Sequence, residues 1–253
     1  MQKTIIRVKK GVKIKSPVLV EGLPGIGLVG KIAADYLVKS MNAKKIANIY
    51  SPYFPPQVLM RKNGVARMLG MRLYHIPQKK NDILVLAGDV QPSLPEAHFE
   101  VCGKILNYFK KKKGKMIITL GGYGSGKAAP NPKVYGAANN KKLAEKFSKA
   151  GIEFGKTKGA IVGAAGLLLG LAKFEKIDAA CLMGETHGAY VDPKSSLVVL
   201  KALERAIGIK IDTAKLEKEI KEGEKFAKKI EEQMAKAGGE QAHAGIKDLS
   251  YIR

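Results

Sequence analysis

The stretch from Ser16 to Met41, "SPVLVEGLPGIGLVGKIAADYLVKSM", decides how the rest of the chain is read. Its opening, "SPVLVEGL", is a short apolar run between Pro and Gly and predicts a buried strand. "VGKIAADYLVKSM" then predicts a helix. The turn between them, "GLPGIGLVGK" (22–31), holds a G-x-G-x-x-G as Gly25, Gly27 and Gly30. That spacing after a strand and before a helix can cradle a dinucleotide. The acidic residue expected about 20 positions further on is missing, and the chain reads "NAKKIANIY" there. The glycines are therefore read as a tight turn that lets the helix pack closely on the sheet.

The same alternation continues. "NDILVLAGD" precedes "EAHFEVCGKILNYFKK", "KMIITLGG" precedes "NKKLAEKFSKAG", and "IDAACLMGE" precedes "PKSSLVVLKALERAIG". Strands alternating with helices predict an α/β sheet, mostly parallel, covered on both faces. Residues 46–76 break the pattern and predict an antiparallel excursion turning at Asn63-Gly64. The longest apolar run, "GAIVGAAGLLLGLA" (159–172), falls short of the roughly 20 residues of a membrane helix. It is read as a buried strand leading into a helix. "MQKTIIRVKKGVKI" has no apolar core, so no signal peptide is expected.

The chain of 253 residues is 45% apolar and carries a net charge of +23. Phosphate neutralisation is one use for such a charge. Only six of the 45 basic residues are Arg, however, and the lysines are scattered without interleaved aromatics. Base readers favour Arg forks and stacking platforms. A lysine-coated surface is expected, with nucleic acid bound only non-specifically. Cys102 and Cys181 lack metal or disulfide spacing and are expected as reduced core residues of a cytoplasmic protein.

Candidate chemistry is sparse. "GGYGSGK" (121–127) fits the first seven positions of a phosphate loop. Ala128 stands where a metal-binding hydroxyl is needed, and Pro130 and Pro132 block an immediate helix. It is read as a structural turn at a strand end, with Gly121, Gly122 and Gly124 meeting backbone demands. Glu185, His187 and Asp192 share "GETHGAYVDP", Glu96 and His98 share "QPSLPEAHFE", and Asp89 closes a strand. None has a partner at a spacing that defines an acid/base or metal set. Ser125 lacks the spacing of a nucleophile elbow.

The last 43 residues hold nine basic and nine acidic side chains, so the whole excess of charge lies in residues 1–210. Leu216, Ile220, Gly223, Ala227, Ile230 and Met234 form a narrow helical seam, which docks on its own domain or self-associates. Glu217–Lys221, Glu224–Lys228 and Glu232–Lys236 support that helix at i,i+4. Three parts are expected: an α/β domain over 1–210, an amphipathic helix over 211–239 and a flexible tail over 240–253.

Six segments, "VEGLPGIGLVGKIAADYL", "LAGDVQP", "IITLGGYGSGK", "VYGAANN", "IVGAAGLLLGLA" and "CLMGETHGAYVDPKSS", resemble in order and spacing the archaeal branch of the proteasome-assembly-chaperone family. The resemblance implies a three-layer α/β/α sandwich akin to phosphorylase/hydrolase-like folds. It also implies no catalysis and no cofactor, a homo-oligomer, and proteasome α subunits as partners. Proteasome activators and several assembly chaperones dock a C-terminal hydrophobic–Tyr–any motif in pockets between α subunits. Here Tyr251 is third from the end, not second, and Ile252 takes its place. Tyr251 would be the anchor, with Leu249 and Ile252 as apolar support and the Arg253 carboxylate as the charged contact. The alternatives are an enzyme acting on a small phosphorylated or nucleoside-like ligand at the strand-end loops, and a nucleic-acid-binding protein.

Overall fold

The computed structural model describes residues 3–127 and 129–236, with side chains as far as 226. Residues up to Ile211 form one compact unit, and those from Asp212 a second.

The first unit begins with β1 (Ile5–Val8), β2 (Val18–Gly22), α1 (Val29–Ser40) and β3 (Lys44–Tyr50). A hairpin of β4 (Val58–Met60) and β5 (Ala66–Met68) precedes β6 (Met71–Ile76) and β7 (Ile83–Gly88). Next come α2 (Pro95–Lys111), β8 (Met116–Gly124), β9 (Val134–Ala138), α3 (Lys141–Ser148) and β10 (Glu153–Phe154). The last elements are α4 (Gly163–Phe174), β11 (Asp178–Thr186) and α5 (Pro193–Ile207).

Nine strands form one sheet in the order β1-β3-β6-β7-β2-β8-β11-β9-β10, and β4 and β5 form a separate ribbon. The central four, β7, β2, β8 and β11, run parallel. Antiparallel pairings join β1, β3, β6 and β7 on one flank and β9 to β11 on the other. Helices α1 and α5 cover one face and α2 and α4 the other, giving three layers. Every residue of β2 and of β7 is buried, which is what continuous apolar runs in a doubly covered parallel sheet require.

The glycine turn after β2 does what its sequence suggests. Gly27 is left-handed at φ 60°, and a Cβ at Gly30 would run into the Leu120 carbonyl oxygen of β8. Helix α1 can lie against the sheet because that Cβ is missing. Helix α3 starts at Asn140, whose side chain accepts a hydrogen bond from the Leu143 N–H at 2.9 Å. The excursion turns at Asn63-Gly64, where the Arg61 N–H donates to the Val65 carbonyl and β4 pairs with β5.

Two expectations fail. Residues 159–162 are not a strand: Val162 is 71% exposed, and the apolar run becomes regular only at Gly163, where α4 begins. Gly159 at φ 139° and Gly163 at φ 75° are both left-handed, and such positions at its two ends interrupt an extended strand. Gly121 to Gly124 are not a turn either but the end of β8, paired with β11 through Gly124–Thr186. A Cβ at Gly122 would crowd the Ile26 carbonyl oxygen, so close approach accounts for that glycine; the chain turns only at 125–127.

In the second unit α6 covers Ala214–Lys236. The Asp212 carboxylate accepts from the Ala214 N–H at 3.0 Å, and the Thr213 hydroxyl donates to Glu217 at 2.8 Å. The pairs Lys215–Glu219 and Lys218–Glu222 lie along it. The expected seam beyond Phe226 and the tail residues Leu249, Tyr251, Ile252 and Arg253 lie outside the described side chains.

Candidate functional site

The pairing of β2 with β8 ends at Glu21–Thr119, while β8 runs on to Gly124. From β2 the chain departs through α1 to β3 on one flank, and from β8 it goes to β9 on the other. Such a parting of parallel strands leaves a crevice at their carboxyl ends. A cavity of about 350 Å³ opens there, lined by Leu23, Ile26, Ile161 and Met183 together with Glu21 and Tyr123. The first turn of α4 and the carboxamide of Gln91 close it. Gln91 Nε2 donates to the Pro24 carbonyl at 2.6 Å, and its Oε1 accepts from the Ala164 N–H at 2.8 Å.

Across the sheet Leu73, Leu86, Glu21, Thr119, Cys181 and Ala137 stand in one register row, on the face that packs against α2 and α4. Glu21 is 1% exposed, and its Oε2 has no hydrogen-bond partner among the described residues. Burial pushes its carboxyl up to about 8, against the smaller pull of a hydrogen bond from the Leu23 N–H. Burial likewise pushes the Cys102 and Cys181 thiols up to about 12, so both cysteines are unreactive core residues.

The candidates picked out by sequence are dispersed. Asp192 caps α5, its carboxylate accepting from the Ser195 N–H and hydroxyl at 2.8 Å each. Glu185 accepts from the Lys133 N–H at 3.3 Å, and His187 stacks on Tyr190 with ring centroids 5.1 Å apart. His98 Nδ1 lies 3.1 Å from the Leu94 carbonyl in the first turn of α2, beside the exposed Glu96. The Ser125 hydroxyl donates to the Lys127 carbonyl at 3.1 Å. None of these reaches the cavity wall.

Asp89 does more than bond loop amides. Beyond accepting from the Gly70 N–H at 3.3 Å, it takes a fork from Arg67 at 2.6 and 2.9 Å and a second from Arg72 at 2.8 and 3.3 Å. Burial works to raise its carboxyl, yet the two guanidiniums hold it well below the usual carboxylate range. This triad ties the β4–β5 ribbon to the end of β7. The ribbon presents Val58, Met60, Val65 and Met68 to solvent, Met60 at 85% exposure.

Sequence reasoning passed over Glu21, Gln91, Arg67 and Arg72. One signal for Glu21 was present: an acidic residue inside the otherwise apolar run "VLVEG". The arginines gave none, because Arg67 on β5 and Arg72 on β6 meet Asp89 only through the antiparallel return of the chain beside β7.

The molecule is an α/β sandwich protein with an apolar, acid-floored crevice where a phosphate cradle would otherwise sit. The PAC2 family profile matches residues 19–236, and the chain belongs to the PAC2 family. The uncharacterized protein MJ1210 of Methanocaldococcus jannaschii is 38% identical over all of this chain and 98% of its own. The crystal structure of Pyrococcus furiosus PbaB, an archaeal proteasome activator, superposes with a TM-score of 0.85 at 37% identity, covering 91% of this chain and 100% of that one. Pyrococcus furiosus PbaA, an archaeal homologue of proteasome-assembly chaperone, superposes with a TM-score of 0.79 at 28% identity, over 93% and 94%.

Proposed function

We propose that this protein is a cytoplasmic, ATP-independent chaperone that assists assembly of the proteasome core particle by binding α subunits as a homo-oligomer. The observation that carries this reading is the likeness to PbaB and PbaA over nearly the whole chain. Part of the binding is assigned to the tail, with Tyr251 as the pocket anchor, Leu249 and Ile252 beside it, and the Arg253 carboxylate held by a basic group of the α subunit. A ring of equivalent pockets would favour an oligomer with several tails through effective concentration. The chemistry proposed is recognition alone. The greater identity to the activator PbaB favours a second reading, in which the same contact is made on the finished particle.

The test is binding of purified α subunits, without nucleotide, to the full chain and to a chain ending at Ala244, followed by light scattering. Binding by the full chain alone supports tail docking. Equal binding by both moves recognition to the folded body. Binding by neither overturns the reading.

A further inference from the structure

We propose that the cavity at the carboxyl ends of β2, β8 and β11 is a binding site for a short aliphatic carboxylate, whose alkyl chain fills the apolar walls and whose carboxylate accepts a hydrogen bond from Glu21. The site is independent of the tail and of the assembly role.

Three observations converge on it. First, Glu21 is buried with one carboxyl oxygen unpartnered among the described residues on the cavity wall, an arrangement that is costly unless something occupies it. Second, no Lys, Arg or His lines the cavity among the described residues, although the chain carries +23 overall. A carboxyl buried without a counter-charge is held neutral, and a neutral carboxyl donates a hydrogen bond. Third, Gln91 Oε1 takes the Ala164 N–H at the start of α4, and Gly163 and Ala165 of the same first turn line the cavity beside it. A helix N-terminus favours negative charge. Two donor elements and an otherwise apolar wall suit a ligand with a single anionic end and an aliphatic body. A phosphate would need the basic groups that are missing. The volume of about 350 Å³ holds a body of four or five carbons with room to spare, on the order of 100 Å³ of molecule.

The groups around Glu21 are Thr119 and Cys181 from β8 and β11, Cys102 from α2, Leu86 from β7 and, across the cavity, Ile161 and the first-turn Ala165 of α4. Both thiols stay protonated between pH 6.5 and 9, being pushed up to about 12. Tyr123 is the remaining titratable group on the wall, and Tyr123→Phe controls for it.

The experiment is calorimetric titration of the full chain with 3-methylbutanoate at pH 6.5 and pH 9. Binding should weaken about tenfold at the higher pH as Glu21 ionises with its carboxyl at about 8. Glu21→Gln keeps a donor and should bind equally at both pH values, while Glu21→Leu should lose at least tenfold at pH 6.5. Ala165→Leu, which leaves Glu21 in place and fills the cavity from α4, should also abolish binding, so that a Glu21 variant that fails to fold leaves the test standing. Absence of binding, or binding unchanged in Glu21→Leu and Ala165→Leu, overturns the proposal. So does tighter binding of 3-methylbutylamine with affinity that rises with pH, because Glu21 would then act as an anion.

Discussion

The floor of the strand-end cavity and the β4–β5 ribbon invert the usual rule of burial in opposite directions. Glu21, a residue type almost never fully buried without a partner, is 1% exposed with a carboxyl oxygen unpartnered among the described residues, while Met60, an adaptable apolar side chain, is 85% exposed. The floor is held by the sheet, since neighbours in register on both sides fix where Glu21 must point. The ribbon is held by charge, through the Arg67–Asp89–Arg72 triad. Both places carry a local cost that packing alone would remove, and proteins accept such costs at sites that meet other molecules.

The largest effect should come from replacing the ionisable carboxyl at the cavity floor. The Glu21 carboxyl lies at about 8 in the folded protein, against 4.5 for an ordinary one. The unfolded chain therefore ionises first, and stability falls as pH rises from about 4.5 to about 8. Glu21→Gln should abolish this dependence and gain on the order of 4 kcal/mol relative to the parent at pH 8 over its value at pH 4.5. Denaturant melts at both pH values read it directly. A parent stability that is flat over that range contradicts the neutral buried carboxyl.

Next in size is the triad. Asp89→Ala leaves two partly buried guanidiniums facing each other and should cost about 3 kcal/mol. The carboxyl of Asp89 is depressed, so its contribution is present above the ordinary carboxylate value and is lost as pH falls through and below it. The same melts, extended to acid, should show parent and Asp89→Ala converging at the lowest pH. Smallest of all is Met60→Asp, which should change stability by less than about 0.5 kcal/mol because the side chain already stands in solvent. A loss of several kcal/mol there would mean that the ribbon packs against something in the folded protein.

Much of this architecture was legible because it rests on local pattern. The buried runs of β2, β7, β8 and β11, the helices after β2, β7 and β11, and the turn at Asn63-Gly64 follow from periodicity and turn chemistry. Where apolar character alone had to carry a reading it misled, because "GAIV" looks like a strand but starts at the left-handed Gly159 and runs into the left-handed Gly163. The end of β8 misled for the opposite reason. Gly121, Gly122 and Gly124 suggest a turn, yet it is the nearby Ile26 backbone that excludes a side chain at Gly122. The cavity was invisible because its members, Glu21, Gln91, Tyr123, Gly163 and Met183, come from five separated segments that only the sheet order assembles.

The most direct test of the assembly role mixes purified α and β subunits of the proteasome, without nucleotide, with and without the full chain, and follows the appearance of core particle on native gels. The proposed function predicts faster or more complete particle formation with the chain present, and loss of that effect in Tyr251→Ala. An unchanged rate of assembly together with faster peptide hydrolysis by the finished particle would contradict it and leave the activator reading in its place.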